Sequence, residues 1–324
     1  MMKIGIAGAG KIVNDMLRGV KGIENITVGA IYARSNRNGH IDDLCRDYSI
    51  PKAYYNYDEM LNDDEIDTVY VAVTNDVHFE FSKKALESGK NVICEKPFTV
   101  NKDELDILCK LAEEKDLFLF EAITNIYLPN FLGIKEKMKE LGNIRIIECN
   151  YSQYSSRYDE FKKGNILPAF DVNRAGGALM DLNVYNVHLI TELCGKPEKV
   201  EYYPNIERGV DVSGILILSY DKFKCVCIGA KDCSAPLSTN IQGDAGCIHI
   251  DKPTNTINDF VVVSNDGHEE KVDANGGHHK MYHEFKAFAD MVDNNDKKAM
   301  RDKLEHSIVV MDVLTEARKK IINK

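Results

Sequence analysis

Residues 3–13 read Lys3-Ile4-Gly5-Ile6-Ala7-Gly8-Ala9-Gly10-Lys11-Ile12-Val13, and this stretch decides the fold. Its apolar run predicts a buried strand, and the spacing from Gly10 to Val20 is compatible with a helix. Glycines at such a turn let the backbone approach a pyrophosphate, which the unpaired N–H groups of the helix N-terminus attract. Although Val13 replaces the small third residue of the fingerprint, the stretch predicts dinucleotide binding rather than an ordinary glycine turn. The candidate contacts are Gly8, Gly10, Lys11 and Ile12.

Strand-like and helical patterns alternate through residues 1–122. This alternation is typical of right-handed βαβ units, in which helices cover both faces of a parallel sheet. We therefore predict an α/β fold whose first domain, residues 1–122, is a doubly wound Rossmann domain. The five predicted strands are Lys3–Gly8, Ile26–Tyr32, Thr68–Val73, Asn91–Cys94 and Leu117–Glu121.

Beyond about residue 142, strand-like stretches follow one another without intervening helices. Several are joined by tight turns, which indicates an antiparallel or mixed sheet. We predict an α+β substrate-binding and oligomerisation domain over residues 123–324, with terminal helices that are able to pack back on the first domain. A large single-layer sheet exposes one face, so we expect a homodimer or homotetramer. The predicted strands are Val210–Tyr220, Phe223–Ala230, Ser238–Gln242, Cys247–Ile250 and Phe260–Val263.

Composition excludes several classes of protein. The 324 residues are 44% hydrophobic and 28% charged, which excludes general disorder. The net charge of −10 and the absence of a basic block argue against nucleic-acid binding, and no apolar run is long enough to span a membrane. Nine cysteines without metal-type spacing predict buried thiols in a reducing cytoplasm, and we read the N-terminus as a strand rather than a signal peptide. We expect no metal site, because no glutamate completes a zinc motif with His279 and His283.

The residues after the second predicted strand bear on the choice of cofactor. NAD-specific sites usually place an acidic residue here to bind the ribose 2′-hydroxyl, and none occurs before Asp42. Arg34, Ser35 and Arg37 instead offer charge and hydroxyl donors suited to a 2′-phosphate. We predict a preference for NADP, with NAD as the alternative; solvated loop residues are the competing interpretation.

The segment Gly89-Lys90-Asn91-Val92-Ile93-Cys94-Glu95-Lys96-Pro97 runs along a parallel strand and just past its end. Open α/β sheets bind ligands at the carboxyl ends of their strands, so Lys96 is placed to point into that crevice. Pro97 is a candidate for a cis peptide bond.

At this point the chain resembles the Gfo/Idh/MocA oxidoreductases. Residues 89–97 are similar to the family's Gly-Lys-His-Val-x-x-Glu-Lys-Pro signature, and residues 73–78 to its Thr-x-Asn-x-x-His loop. Glu121-Ala122 and Tyr127-Leu128-Pro129 resemble its fifth-strand segment. Residues 176–185 resemble its Gly-Gly-Gly-x-Leu-x-Asp-x-Gly-x-His/Tyr helix, with Asn183 in place of the last glycine. The four motifs occur in the family's order.

This resemblance implies roles for individual residues. Those expected beside the nicotinamide are Thr74, Asn75, His78, Glu95, Lys96 and Pro97. Lys96, Asp181 and Tyr185 would face the reacting carbon. Independently of the family, Asp181 and Tyr185 are four residues apart and share a helix face. Tyr154 and Arg157 are candidates for substrate binding, although an oligomer interface suits them equally well.

We therefore predict an NAD(P)-dependent oxidoreductase that transfers a hydride between the nicotinamide and a hydroxyl-bearing carbon of a sugar, polyol or cyclic diol. Either Tyr185 or Lys96 would transfer the proton. The alternative is a non-catalytic NADP- and sugar-binding sensor of the same fold. Thr124 and Ile126 stand where one family branch often has Trp and Arg, so the substrate does not carry over from the resemblance.

Overall fold

A computed structural model describes residues 1–322 and divides the chain into two compact units. The first unit comprises residues 1–122 and 278–308; the second comprises residues 123–277 and the chain from residue 309 onward. The chain passes from the first unit to the second between residues 122 and 123, and residues 278–308, which the sequence analysis assigned to the second domain, belong to the first unit. Within residues 1–322, no helix is both long enough and apolar enough to cross a membrane.

The strands are β1 (Met2–Ala7), β2 (Ile26–Tyr32), β3 (Lys52–Tyr54), β4 (Thr68–Val71), β5 (Asn91–Glu95), β6 (Leu119–Ala122), β7 (Ile144–Ser152), β8 (Lys199–Glu207), β9 (Val210–Ser219), β10 (Lys224–Ala230), β11 (Ser238–Gly243), β12 (Gly246–Ile250), β13 (Phe260–Ser264) and β14 (Glu269–Val272). The α-helices are α1 (Lys11–Gly19), α2 (His40–Tyr48), α3 (Tyr57–Leu61), α4 (His78–Glu87), α5 (Lys102–Glu114), α6 (Pro129–Lys137), α7 (Ser156–Lys162), α8 (Val184–Cys194), α9 (Tyr282–Asp293) and α10 (Lys297–Ile322).

The first unit is built on a six-stranded sheet with the order β3-β2-β1-β4-β5-β6. Every neighbouring pair is parallel, which confirms the predicted doubly wound fold. The strand order reverses between β1 and β4, so the crevice that binds ligands in such folds lies at the carboxyl ends of these two strands. The loops that follow β1, β4 and β5 carry the predicted cofactor motifs.

Local sequence explains how these helices begin and how they pack. Asn101 caps α5, because its side-chain oxygen accepts a hydrogen bond from the backbone N–H of Glu104 at 3.0 Å. Aromatic side chains of α9 lie against the sheet: Phe285 packs edge-on to Tyr70, and Phe288 stacks on Phe120. These contacts place α9, from late in the chain, in the core of the first unit.

The second unit is built on an eight-stranded sheet with the order β14-β13-β12-β11-β7-β10-β9-β8. Strands β7 and β10 pair in parallel, whereas the other neighbours are antiparallel, so the predicted mixed sheet is confirmed. Along β10, Cys225 and Cys227 are fully buried while Val226 is half-buried, as alternation across a sheet requires. All nine cysteines are free thiols.

The structure also corrects the element assignments. The first sheet has a sixth strand, the three-residue β3, which the sequence analysis overlooked. Strands β8 and β14 and helices α6 and α7 were overlooked in the second unit as well. The sequence over residues 177–193 has a helical pattern, and the structure divides this stretch into a π-helical segment, Leu179–Asn183, and the helix α8. Asp181 therefore lies in a wider turn than a regular α-helix provides.

Candidate active site

The glycine turn after β1 has the geometry that a dinucleotide requires. Gly8 has a φ of +124°, and a β-carbon there would overlap the carbonyl oxygen of Ala72, which follows β4. Only glycine is compatible with this turn. A β-carbon at Gly10, directly before α1, would meet no atom within 4 Å. The open space over Gly10, beside the first turn of α1, fits a bound pyrophosphate.

The loop after β2 is organised by Asn36. Its side-chain oxygen accepts a hydrogen bond from the backbone N–H of Ile41 at 2.9 Å, and its amide donates to Asp42 at 2.7 Å. Asp42 is therefore bound within the loop, while Arg34 and Arg37 are exposed beside it. Ser35 is also exposed. This arrangement has cationic and hydroxyl groups where an NAD-specific site has a carboxylate.

We expect substitution of Arg34 by alanine to weaken NADPH binding by roughly 10- to 100-fold and to leave NADH binding nearly unchanged, since a charge-assisted contact to the 2′-phosphate contributes about 1.5–3 kcal/mol. Fluorescence titration of both nucleotides measures the two affinities. Arg46→Ala is the matched control, because Arg46 is an exposed arginine of α2 that pairs with Asp43. Equal or tighter NADH binding by the unaltered protein would contradict the NADP preference.

His78 connects the loops that follow β4 and β5. It is fully buried, and its Nδ1 and Nε2 lie 2.9 Å and 3.3 Å from the carbonyl oxygens of Pro97 and Val73. Burial lowers the pKa of His78 below its usual value, which favours the neutral ring. A neutral ring has one N–H, so His78 donates to one of the two carbonyl oxygens and packs against the other. Half-buried Thr74 and Asn75 lie on the first of these loops.

Glu95, at the end of β5, is a buried acid with one defined partner. The hydroxyl of Tyr70 donates to its Oε1 at 2.5 Å, and burial raises the pKa of Glu95 to about 7. The hydrogen bond from Tyr70 and the charge of Lys96 both act in the opposite direction. The Lys96–Pro97 peptide bond is cis, as predicted, and Lys96 itself is half-buried.

The raised pKa of Glu95 predicts how stability depends on pH. An unfolded glutamate ionises near pH 4.5, so between this pH and about 7 the folded protein holds a proton that the unfolded chain releases. Stability contributed at this site therefore falls as pH rises through that window. As the pH rises from 5 to 8, we expect the free energy of unfolding of Glu95→Gln to increase by on the order of 2 kcal/mol relative to that of the unaltered protein. Urea unfolding at several pH values measures this difference, and parallel curves for the two proteins would contradict it.

In the second unit, Asp181 and Tyr185 lie on consecutive turns of one helical run. Asp181 is about one-third exposed, and its Oδ2 accepts a hydrogen bond from the Lys231 ammonium at 2.8 Å. Tyr185 is half-buried, and its ring lies 6.1 Å from that of Tyr151 on β7. The backbone carbonyl of Tyr185 accepts a hydrogen bond from the side chain of Asn125 at 2.9 Å. The bond from Asn125 thus anchors the helical run at Tyr185.

A buried carboxylate fixes the turn before this helical run. Asp211, on β9, accepts hydrogen bonds from the Leu179 backbone N–H and the Tyr202 hydroxyl, both at 2.7 Å. Burial raises the pKa of Asp211 to about 6. Gly177 has a φ of +112°, and a β-carbon there would overlap the Asp211 carboxylate. The glycine and the aspartate together determine where the segment that carries Asp181 begins.

Tyr154 and Arg157 lie on an exposed part of the second unit, just before α7 and in its first turn. The Tyr154 hydroxyl donates to Asp159 at 2.7 Å and accepts from the Lys162 ammonium at 2.8 Å. These contacts hold Tyr154 in a surface cluster. A role for Tyr154 and Arg157 in substrate binding remains a prediction.

The sequence analysis did not find three residues that organise these sites. Tyr70 contacts Glu95, Asn125 anchors Tyr185, and Lys231 pairs with Asp181. Lys231 directly follows β10 of the mixed second sheet, so the rule for strand ends of an open parallel sheet, which singled out Lys96, did not apply to it. Among residues 1–322, no group of three or more His, Cys, Asp or Glu side chains is arranged to hold a metal ion.

The parallel sheet, the glycine turn and the cofactor loops define a nucleotide-binding oxidoreductase. Residues 2–122 match the model of the oxidoreductase family with an NAD-binding Rossmann fold, and residues 136–249 match the GFO/IDH/MocA C-terminal domain. The chain belongs to the Gfo/Idh/MocA family, which confirms the predicted resemblance. It is an NAD(P)-dependent oxidoreductase that acts on CH–OH groups, as the sequence analysis predicted.

Known relatives match most or nearly all of the chain. It is 30% identical over 325 residues to scyllo-inositol 2-dehydrogenase (NADP(+)) of Bacillus subtilis, which covers 99% of this chain and 97% of the relative. It is also 30% identical over 279 residues to trans-1,2-dihydrobenzene-1,2-diol dehydrogenase of Xenopus tropicalis, covering 84% of this chain and 81% of the relative.

Solved structures show the same fold. The 3-ketoreductase of Actinomadura kijaniata in complex with NADP and TDP-benzene superposes with a TM-score of 0.84 at 19% identity, covering 98% of this chain and 97% of that one. Levoglucosan dehydrogenase in complex with NADH and levoglucosan has a TM-score of 0.84 at 15% identity, with coverages of 98% and 97%.

Proposed function

We propose that the chain is an NADP-preferring dehydrogenase or reductase of a small sugar, polyol or cyclic diol. The observation that carries this proposal is the similarity to a full-length relative that acts on an inositol with NADP, and Lys96, Asp181 and Tyr185 at the matching motif positions of the sequence support it. Relatives that act on a dihydrodiol and on D-xylose support the same class of substrate. A sensor has no need of a proton-transfer group, so Lys96, Asp181 and Tyr185 favour catalysis.

The residues of the chain supply binding, orientation and proton transfer. NADP, when bound, supplies the hydride acceptor at its nicotinamide ring. The turn of Gly8 and Gly10 would hold the pyrophosphate, and the loops tied together by His78 would lie beside the nicotinamide. These residues fit the group, since the open space over Gly10 is next to the N-terminus of α1.

Tyr185 is proposed to take the proton from the substrate hydroxyl during oxidation and to return it during reduction. A tyrosine phenol ordinarily has a pKa near 10, so it needs a cation to act at neutral pH. Lys96 would supply that charge, and Asp181 would orient the substrate hydroxyl or the lysine. Lys96 as the proton-transfer group is the alternative.

Absorbance of the reduced nicotinamide tests the proposed activity directly. The purified protein is mixed with NADP and a panel that contains inositols, D-xylose, levoglucosan and a cyclic trans-diol, with deoxy analogues as matched controls. We expect an absorbance change with at least one hydroxylated substrate and none with its deoxy analogue. Tight NADPH binding without turnover of any member of the panel would favour the sensor.

Self-association through the second sheet is the oligomeric part of the proposal. On the outer face of the sheet, Tyr203 pairs with Ile215, and Ile215 pairs with Ile228 across three neighbouring strands. Tyr203 and Ile215 are exposed and Ile228 is half-buried, so the row is an apolar stripe. A stripe of this kind is typical of a subunit interface, and we infer a homodimer or homotetramer.

We expect Ile215→Lys to shift the protein toward monomer, because a charge would be buried at the interface. Sedimentation velocity measures the change in mass. Leu132→Lys serves as the control, since Leu132 is an equally exposed apolar residue on α6, outside the sheet. A monomeric unaltered protein would contradict the inferred oligomer.

The free thiols are also consistent with a reducing, cytoplasmic location, which we propose.

A further inference from the structure

Lys231 is a buried cation that has no role in the proposed mechanism. Only 2% of its side chain is exposed. Its ammonium donates to Asp181 at 2.8 Å and to the carbonyl oxygen of Ala169 at 2.6 Å, and it lies 4.6 Å from the centre of the Phe170 ring. A lysine of this kind is rare, because burying an ammonium is costly unless its charge and its hydrogens are satisfied.

The backbone of Lys231 is fixed as firmly as its side chain. Its N–H donates to the carbonyl oxygen of Val212 on β9 at 2.8 Å, and its own carbonyl accepts from the N–H of Ser155 at 2.9 Å. The backbone of Lys231 is therefore bonded on both sides, while its ammonium contacts Asp181, Ala169 and Phe170. By contrast, the Asp181 side chain is about one-third exposed, and it emerges from a π-helical segment. The rigid partner of the pair is the lysine.

We propose that Lys231 is a positioning residue, which keeps Asp181 ionised and in one orientation for its part in the reaction. The inference rests on the proposed function, because it assigns Asp181 to substrate binding or orientation. A nearby opposite charge favours the ionised form of a carboxyl group, and a charge-assisted hydrogen bond restricts its rotation. Without Lys231, Asp181 would be protonated over a wider range of pH and would lose the charge-assisted bond that restricts its rotation.

Two further carboxylates of the second unit lie near this pair. Asp211 is on β9 and Asp232 directly follows Lys231, where its side chain accepts a hydrogen bond from Ser213 at 3.1 Å. Asp211 already accepts bonds from Leu179 and Tyr202, and Lys231 adds a favourable charge to it. Both carboxylates have other partners, whereas Asp181 receives the direct ammonium contact.

Lys231→Met tests the proposal in steady-state kinetics. We expect kcat/KM to fall about 10- to 100-fold, while NADPH affinity changes less than threefold. The acidic limb of the pH profile of kcat/KM should move to higher pH, since Asp181 has lost its cation. Lys231→Arg, which keeps the charge, should retain the position of the limb. A limb that stays in place in Lys231→Met, or a kcat/KM within threefold of the unaltered protein, would overturn the proposal.

A double-variant cycle separates positioning from packing. In Asp181→Asn, the further change Lys231→Met should lower kcat/KM by less than threefold, because the partner is already neutral. The double variant also leaves no unpaired buried charge, so it is expected to fold even if Lys231→Met alone does not. Additive losses in the cycle would show that Lys231 acts independently of Asp181.

Asp211→Asn is expected to leave the acidic limb of the pH profile in place. A shifted limb in that variant would assign the titrating group to Asp211 instead of Asp181.

A measurement without turnover keeps this inference distinct from the proposed function. The carboxyl carbon of Asp181, labelled with ¹³C and assigned by its loss in Asp181→Asn, is titrated by NMR in the substrate-free protein. We expect the pKa of Asp181 to be at least about one unit higher in Lys231→Met than in the unaltered protein or in Lys231→Arg, with Asp211 intact in all three. An unchanged titration in Lys231→Met would refute the positioning role even if the enzyme is active. If the unaltered protein turns over no substrate but the pKa of Asp181 is raised in Lys231→Met, the result would support the ion pair and reject only the enzymatic assignment.

Discussion

Tyr185→Phe is expected to lower kcat by about 100-fold or more while NADPH binds with unchanged affinity. The change removes only the hydroxyl, which is the proposed proton acceptor, and acid–base groups typically contribute 10²- to 10⁴-fold. The ring keeps its place, since its contact with Tyr151 and the backbone bond from Asn125 do not involve the hydroxyl. A loss of turnover would therefore report chemistry rather than folding.

Lys96→Ala should cause a loss of similar size, because it removes the cation proposed to favour the phenolate. Stopped-flow measurement of hydride transfer, with nucleotide affinity from fluorescence, separates chemistry from binding. Tyr220→Phe is the matched control: the Tyr220 hydroxyl donates to the carbonyl oxygen of Gly195 and lies outside the proposed chemistry. Near-normal turnover in Tyr185→Phe together with a large loss in Lys96→Ala would assign the proton-transfer role to Lys96.

The elements that the sequence predicted well are those whose pattern is complete within one segment. The apolar run of β1 and the glycine turn after it both depend on neighbouring residues. The overlooked elements depend on other segments. Strand β3 has only three residues and exists because it pairs with β2. Strand β8 contains Pro204, and a proline within an apolar run argues against a strand when only the sequence is considered.

The candidate site shows the same limit. The motif positions of Lys96, Asp181 and Tyr185 were visible in the sequence because they occur within recognisable segments. Lys231 was not, because nothing near it in the sequence indicates that an ammonium will be buried against a carboxylate fifty residues earlier. The π-helical turn at Asp181 was missed for a related reason: the turn forms where Asp211, on a distant strand, binds the Leu179 N–H. Side-chain partners that are remote in sequence determine the details of the site.

Gly8→Ala is expected to destabilise the first unit by roughly 3 kcal/mol or more. A φ of +124° is accessible almost only to glycine, and strained backbone of this kind costs about 1–3 kcal/mol before any clash is added. The new β-carbon would also overlap the carbonyl oxygen of Ala72, a backbone atom that cannot rotate away. Relief requires the ends of β1 and β4 to separate, at the point where the strand order reverses. Thermal and urea unfolding measure the loss.

Gly10→Ala is the informative partner of this variant, because its β-carbon would meet no protein atom and its φ of −78° suits alanine. We expect its unfolding midpoint to stay within the error of the unaltered protein. Its NADPH affinity should nevertheless fall by about tenfold or more, a cost of roughly 1.4 kcal/mol, since the methyl group would occupy the space proposed for the pyrophosphate. The two glycines thus separate fold from function: one is required by the protein backbone and the other by the ligand. Normal NADPH binding by Gly10→Ala would place the pyrophosphate elsewhere, and a normally stable Gly8→Ala would show that the turn relaxes without cost.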